Sequence, residues 1–226
     1  ILHGAHVSGA NLEGANLEGS VMSGVDTSSA RMSGARLGGS LGAPSAAALE
    51  KAPGLLELVK ANQRWCETGG QEGAPAALNG QDLRPLEKAL RGMRLTAANF
   101  RGSCLVGMDL SGAHLQGAIL EDADLRGAIL HGADLRGAKL ARANLTKVDL
   151  RDARIGALPL TPTRAAPATL ANARLRYAQA QAADLTAAVL DQADLRGADF
   201  TDAILQGINL KEVDLSGAIG IPVQLV

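Results

Sequence analysis

A bulky apolar residue returns at every fifth position over most of the chain, and that interval excludes most folds. It falls at Leu95, Phe100, Leu105, Leu110, Leu115, Leu120, Leu125, Leu130, Leu135, Leu140, Leu145, Leu150 and Ile155. It resumes at Leu170, Leu175, Leu185, Leu190, Leu195, Phe200, Leu205, Leu210 and Leu215. A helix repeats every 3.6 residues and a strand every two, so neither keeps such a series on one buried face. Two residues before each apolar centre stands a small residue, as at Ala113, Ala118, Ala123 and Ala133, and between them often Asp or Asn, as at Asp124, Asp134 and Asn144. The unit reads A-(D/N)-L-x-G. It fits a square coil in which each unit forms one side, with the centre and the small residue inward and their neighbours outward. Four sides make a coil of about 20 residues, and coils stack at about the 4.8 Å spacing of neighbouring strands. Aromatic residues are only 2% of the chain, so the core is expected to be narrow and built from Leu and Ala.

The unit is repeated almost without change in stretches such as "ADLRGAILHGADLRGAKLARANL". These residues closely resemble the pentapeptide-repeat family. The resemblance implies an all-β solenoid, a right-handed quadrilateral β-helix, that is non-enzymatic and presents its faces to partners. A Leu/Ala-rich helical protein would need apolar residues three and four positions from each centre, where Gly, Asp and Arg stand instead.

Four regions are expected. Residues 1–42 form a first repeat tract through Leu2, Val7, Leu12, Leu17, Met22, Thr27, Met32 and Leu37, of about two coils. Residues 43–75 are a helical insertion or linker, with a helix between about 45 and 68 that Pro53-Gly54 interrupts. Leu55, Leu58, Val59 and Trp65 share roughly one face of it, either packed on a coil or available for docking. Residues 76–219 are the second tract, with a two-residue slip between Arg84 and Gly92. In "GALPLTPTRAAPAT", residues 156–169, the five-residue count survives and places Leu160 inward, so these read as loosened sides of the same coil stack. Residues 220–226 are expected to cap the end, with Pro222 stopping the ladder and Val223, Leu225 and Val226 folding over it. The pattern is already under way at Ile1, so further coils or a domain are expected before it.

Catalysis needs titratable groups that converge. Here Asp recurs because the repeat uses it, and His3, His6, His114 and His131 do not converge, so no catalytic, cofactor or metal site is expected. Cys66 and Cys104 fit neither a disulfide framework nor a metal motif and agree with a reducing, bacterial cytoplasmic setting, or with secretion inside a larger protein. No apolar run approaches the roughly 20 residues that span a bilayer, so no membrane partner is expected. Counting by twenties puts Leu115, Leu135, Ile155, Leu175 and Leu195 in one core column, and beside it a face carrying Arg94, Arg136, Arg154, Arg174, Arg176 and Arg196. That face and Trp65 are the candidate interaction surface, and single arginines such as Arg136 are expected to be solvated and dispensable for stability.

The net charge of −1 argues against nucleic acid as a partner and against the DNA-mimicking, topoisomerase-binding role of some family members. The segment "WCETGGQEGAPAALNGQDL" resembles one that precedes repeat tracts in accessory proteins of type VI secretion systems. The function implied is an adaptor or scaffold module that binds a protein partner; a topoisomerase-binding mimic and the carrier part of a secreted effector are the alternatives.

Overall fold

The computed structural model describes residue 2 and residues 5–222. Ile1, His3, Val223, Leu225 and Val226, which enter the expectations above, lie outside the described residues. The chain divides into two compact units, Ile1–Leu49 and Glu50–Val226.

In the first unit, parallel bridges Asn11↔Arg31, Asn16↔Arg36 and Val21↔Leu41 stack one coil on the next. Within the unit each coil has a neighbour on one side only. Leu12, Leu17, Met22 and Met32 are therefore half-buried, and Leu37 is exposed.

The second unit is built by one hydrogen-bond rule. The N–H of each centre donates to the carbonyl nineteen residues on, as Leu115 N to Asp134 O at 2.7 Å, and Asp134 N returns to Ala113 O at 2.9 Å. Each corner closes by a bond within its turn, as Ala118 N to Leu115 O at 3.0 Å. Leu115, Ala118, Leu120, Ala123, Leu125 and Leu135 are fully buried, so the inward and outward positions fall where the five-residue pattern puts them.

This ladder leaves one backbone donor over, the N–H of the residue after each centre. The Asp or Asn before the centre accepts it: Arg101 N donates to Asn99 Oδ1 at 3.0 Å, Arg136 N to Asp134 Oδ1 at 3.2 Å and Thr186 N to Asp184 Oδ1 at 2.9 Å. The acidic position of the repeat thus satisfies a donor that the sheet cannot. The corner residue that follows is left-handed, whether glycine, as Gly112 at φ 65°, or another residue, as Asp122 at φ 59°.

Two insertions change the stacking. Asp82 pairs with Cys104, twenty-two residues on, whereas Arg94 pairs with His114, twenty on; the two extra residues lie in the segment holding the 3-10 turn Arg84–Leu86. The second insertion corrects the expectation for residues 156–169. Lys139 pairs with Thr169 and Arg154 with Asp184, thirty residues apart instead of twenty. Between them, strands β1 (Leu158–Thr161) and β2 (Arg164–Ala166) form an antiparallel hairpin around Pro162 and Thr163, and Leu160 is exposed at 52%. An insert of ten residues is two whole units, so it preserves the count of five while advancing the coil by two sides. The fully buried column from Leu115 and Leu135 continues through Ile155 to Leu185, whereas Leu175 and Leu195 stack below Leu145.

Ala157 N already makes the ladder bond of a corner residue, to Thr186 O in the next coil at 3.0 Å, and Ala168 already occupies the small inward position. Deleting residues 158–167 should therefore close a regular corner at Ala157 and lower the melting temperature by no more than about 4 °C. Thermal melts followed by circular dichroism test this; loss of cooperative unfolding would show that the hairpin is part of the coil's support.

Helix α1 (Ala46–Glu67) starts with Ser45 Oγ accepting Ala48 N at 3.2 Å and runs through Pro53 without a break. A proline removes one helical hydrogen bond and crowds the preceding turn. Here Pro53 is exposed, while Leu55 and Val59 bury themselves in the core with Leu78, Leu83, Leu90 and Leu95, which holds the helix across it. Leu58, expected on that face, is exposed at 40%; Asn62 is the next inward residue and is fully buried.

Within the second unit the helix covers the leading edge of its first coil, where no earlier strand of that unit pairs among the described residues. Arg94 N donates to Gln63 Oε1 at 2.7 Å, the Cys66 thiol to Arg94 O at 3.6 Å and Asn62 Nδ2 to Thr96 O at 3.2 Å. Asn62 Oδ1 also accepts Ala76 N at 2.9 Å. Side chains one helical turn apart thus fill the edge groups that an earlier coil would fill. The helix ends at a wrap made by "TGGQEG": Thr68 Oγ1 donates to Arg64 O and accepts Glu72 N, and Gly70 N donates to Trp65 O. At Gly73, φ is 78° and a Cβ would lie 2.1 Å from Ala61 O, so only glycine fits.

Candidate functional site

The repeat chemistry decides which arginines are available. An Arg directly after the centre folds back onto the Asp directly before it. Arg136 Nε and Nη2 bond Asp134 at 2.8 and 2.5 Å, Arg126 binds Asp124 in the same way, and Arg151 binds Asp149. Such a D-L-R unit is neutral and satisfied within itself. An Arg that stands in the Asp slot has no carboxylate of its own.

The expected single arginine face is split by the hairpin. Arg94, Arg136 and Arg154 share the side centred on Leu95, Leu115, Leu135 and Ile155, whereas Arg174, Arg176 and Arg196 continue the side of Leu105, Leu125 and Leu145. Two sides of a four-sided coil apart means opposite faces. On the first, Arg136 and Arg154 both reach Asp134, which is buried and also accepts from Gln116 Nε2 at 2.8 Å. The Arg94 backbone is taken up by the edge contacts with α1.

Asp134 corrects the reading of Arg136 as dispensable. Burial works to raise the Asp134 carboxyl, but the Arg136 side chain and N–H, with Arg154 nearby, outweigh it and hold the group below the ordinary carboxylate range. Folded Asp134 therefore ionises at lower pH than in the unfolded chain, where its value is about 3.9. Its contribution is fully present above that value and is lost as pH falls through the folded one. Asp82, raised by burial but lowered more by Arg84, and Asp149, lowered chiefly by Arg151, act in the same direction. Stability in urea should fall as pH drops below about 4, and Asp134→Asn should flatten that fall while costing stability near neutrality. An unchanged acid slope in the variant would show that Asp134 is not among the linked groups.

On the second face the outward residues of four successive coils meet. Asn144, Arg174, Asp194 and Asp214 form one bridged row, with Thr146, Arg176, Arg196 and Ser216 beside it and Lys147, Tyr177, Gly197 and Gly217 at the corner. Arg174 takes the Asp slot, so Arg176 has no carboxylate in its own strand and reaches instead to Asp194 in the next coil. Asp194 is also held by Arg196, at 2.8 Å, and Arg196 extends to Asp214 at 3.3 Å. Arg174 is exposed and has no ion pair among the described residues. Tyr177 and Lys147, which the sequence reading passed over, join this surface. The available signal was a residue other than glycine at the corner position.

Trp65 is half-buried beside the glycine wrap; its Nε1 lies 3.4 Å from where a Cβ on Gly70 would stand. The tryptophan and the glycines of the "WCETGGQEG" string thus sit together at the end of the helix. Among the described residues no cluster of His, Cys, Asp and Glu is placed to hold a metal, and no helix is long and apolar enough to cross a membrane.

Several solved structures are similar to the chain. A pentapeptide repeat protein from the thylakoid lumen of Arabidopsis thaliana is 30% identical, over 52% of this chain and 71% of its own, with a TM-score of 0.37. HetL, involved in regulating heterocyst differentiation in the cyanobacterium Nostoc sp., is 26% identical over 97% of this chain and 90% of its own, at 0.25. QnrB1, a plasmid-mediated fluoroquinolone resistance protein, is 19% identical over 95% of this chain and 86% of its own, at 0.30. No curated protein matches. The family described as pentapeptide repeats matches in eight copies, at residues 1–39, 94–132, 118–155 and 181–217. Those copies span more than half of the sequence and carry the ladder described above: the chain belongs to the pentapeptide-repeat family, whose members fold as right-handed quadrilateral β-helices.

Proposed function

We propose that the chain is a non-enzymatic protein-interaction solenoid, an adaptor or scaffold module of a larger bacterial protein. The observation that carries this reading is the outward group Arg174, Arg176, Arg196, Lys147 and Tyr177, where Arg174 stands in the carboxylate position of its unit. In the D-L-R units around Asp82, Asp124, Asp134 and Asp149 the Asp and Arg neutralise one another within a strand, which suits a solvated rod. A link to secretion rests on the Trp65–Leu83 string alone. A DNA mimic needs a dense negative rod, and a net charge of −1 with many carboxylates tied to guanidinium groups opposes it.

Crosslinking capture with the chain and with its Arg174→Glu variant tests the proposal. A protein partner captured by the parent and lost in the variant supports it; capture that is indifferent to the variant, or none, removes the basis for this surface. Gyrase supercoiling, measured alongside, should be neither inhibited nor protected at micromolar protein. Dose-dependent inhibition would favour the topoisomerase-binding role instead.

A further inference from the structure

We infer that the corner around Tyr177 is a docking site for an acidic, extended protein segment, which lays an apolar side chain on the Tyr177 ring and its carboxylates on Arg174, Arg176 and Lys147. This rests on the interaction reading above and names the chemistry of the partner.

Tyr177 is the only tyrosine of the chain, and it stands at a corner position that glycine often fills. Its φ is 55°, in the left-handed region that a glycine occupies at Gly197, Gly217, Gly107 and Gly127 of the same corner. Arg142, Lys147 and Gln192 hold the same left-handed corner conformation, so φ alone does not mark a site; what distinguishes Tyr177 is an aromatic ring left 60% exposed. The ring is nevertheless seated: a Cβ on Gly197 would lie 2.6 Å from its Cδ1 and Cε1, so that edge rests on bare backbone, and a side chain at 197 would displace it. Tyr177, Lys147 and Gln179 line a shallow, open depression. A seated, exposed ring supplies contact area at little entropic cost.

The charge around it is locally unbalanced. Arg174 replaces the carboxylate of its own strand, Lys147 is exposed in the coil above, and the Asp194 carboxylate is shared between Arg176 and Arg196. The excess is small and interrupted by Asp194 and Asp214. That arrangement suits a few spaced carboxylates better than a continuous phosphate backbone, whose binding draws on many cations in a row.

Fluorescence anisotropy decides the matter, with a short fluorescein-labelled peptide of Glu and Leu as probe and labelled oligothymidylate as competitor. Tyr177→Gly is the informative variant because glycine relieves the left-handed corner: its melting temperature should equal or exceed that of the parent. The peptide should bind saturably, and Tyr177→Gly and Arg174→Glu should each weaken it by at least about tenfold. Absence of saturation at millimolar peptide, unchanged affinity in either variant, or tighter binding of oligothymidylate would each overturn the inference. If the chain captures a partner whose binding ignores Tyr177→Gly, the interaction solenoid stands and this site falls.

Discussion

Replacing Asn62 by alanine is expected to destabilise the second unit by about 2–5 kcal/mol. Asn62 is fully buried and spends both ends of its amide on backbone at the coil edge, donating to Thr96 O and accepting from Ala76 N. Alanine would leave a buried donor and a part-buried acceptor unpaired and open a small void; each orphaned buried group costs about 1–3 kcal/mol. Gln63→Ala removes the bond to Arg94 N and an exposed one to Glu67 from a half-buried side chain, and should cost about 1 kcal/mol. Urea denaturation compares the two. Equal costs would mean that water replaces Asn62 readily and that the helix is not the seal of that edge. A loosened helix also exposes unpaired strand groups, so light scattering of Asn62→Ala should show association that the parent lacks.

Leu135→Ala should cost a similar amount, about 2–5 kcal/mol, for a different reason. The side chain is fully buried between Leu115 and Ile155, in a column whose backbone is fixed above and below by ladder bonds of 2.7 Å. A narrow coil braced on both sides cannot collapse into the space, so the cost should lie toward the upper end. Arg136→Ala, one residue on, would remove the bidentate partner of buried Asp134 while Arg154 and Gln116 remain. About 1–3 kcal/mol is expected, more than an exposed arginine would cost and less than Leu135. A Leu135 variant that unfolds at the parent's urea midpoint would contradict its place in the column.

The five-residue period by itself determined the local structure. Which residues face inward and where the corners fall both follow from the one unit, whereas the reason Asp or Asn so often precedes the centre needed the ladder, which leaves a single N–H to satisfy. The amphipathic run after Pro44 was equally legible as a helix. Its inward polar residue was not, because Asn62 looks like any helix-surface amide until the coil edge beneath it is known.

Only the tertiary structure decided which side of the coil each unit occupies. All four sides use the same sequence unit, so the sequence carries the count modulo five but not modulo twenty. The ten-residue hairpin is invisible to the first count and turns the second by two sides, and it sends Arg174, Arg176 and Arg196 to the face opposite Arg136 and Arg154. The side is set by which carbonyl each N–H finds in the next coil. That is a long-range choice, and the same mechanism places Tyr177 on the bare backbone of Gly197.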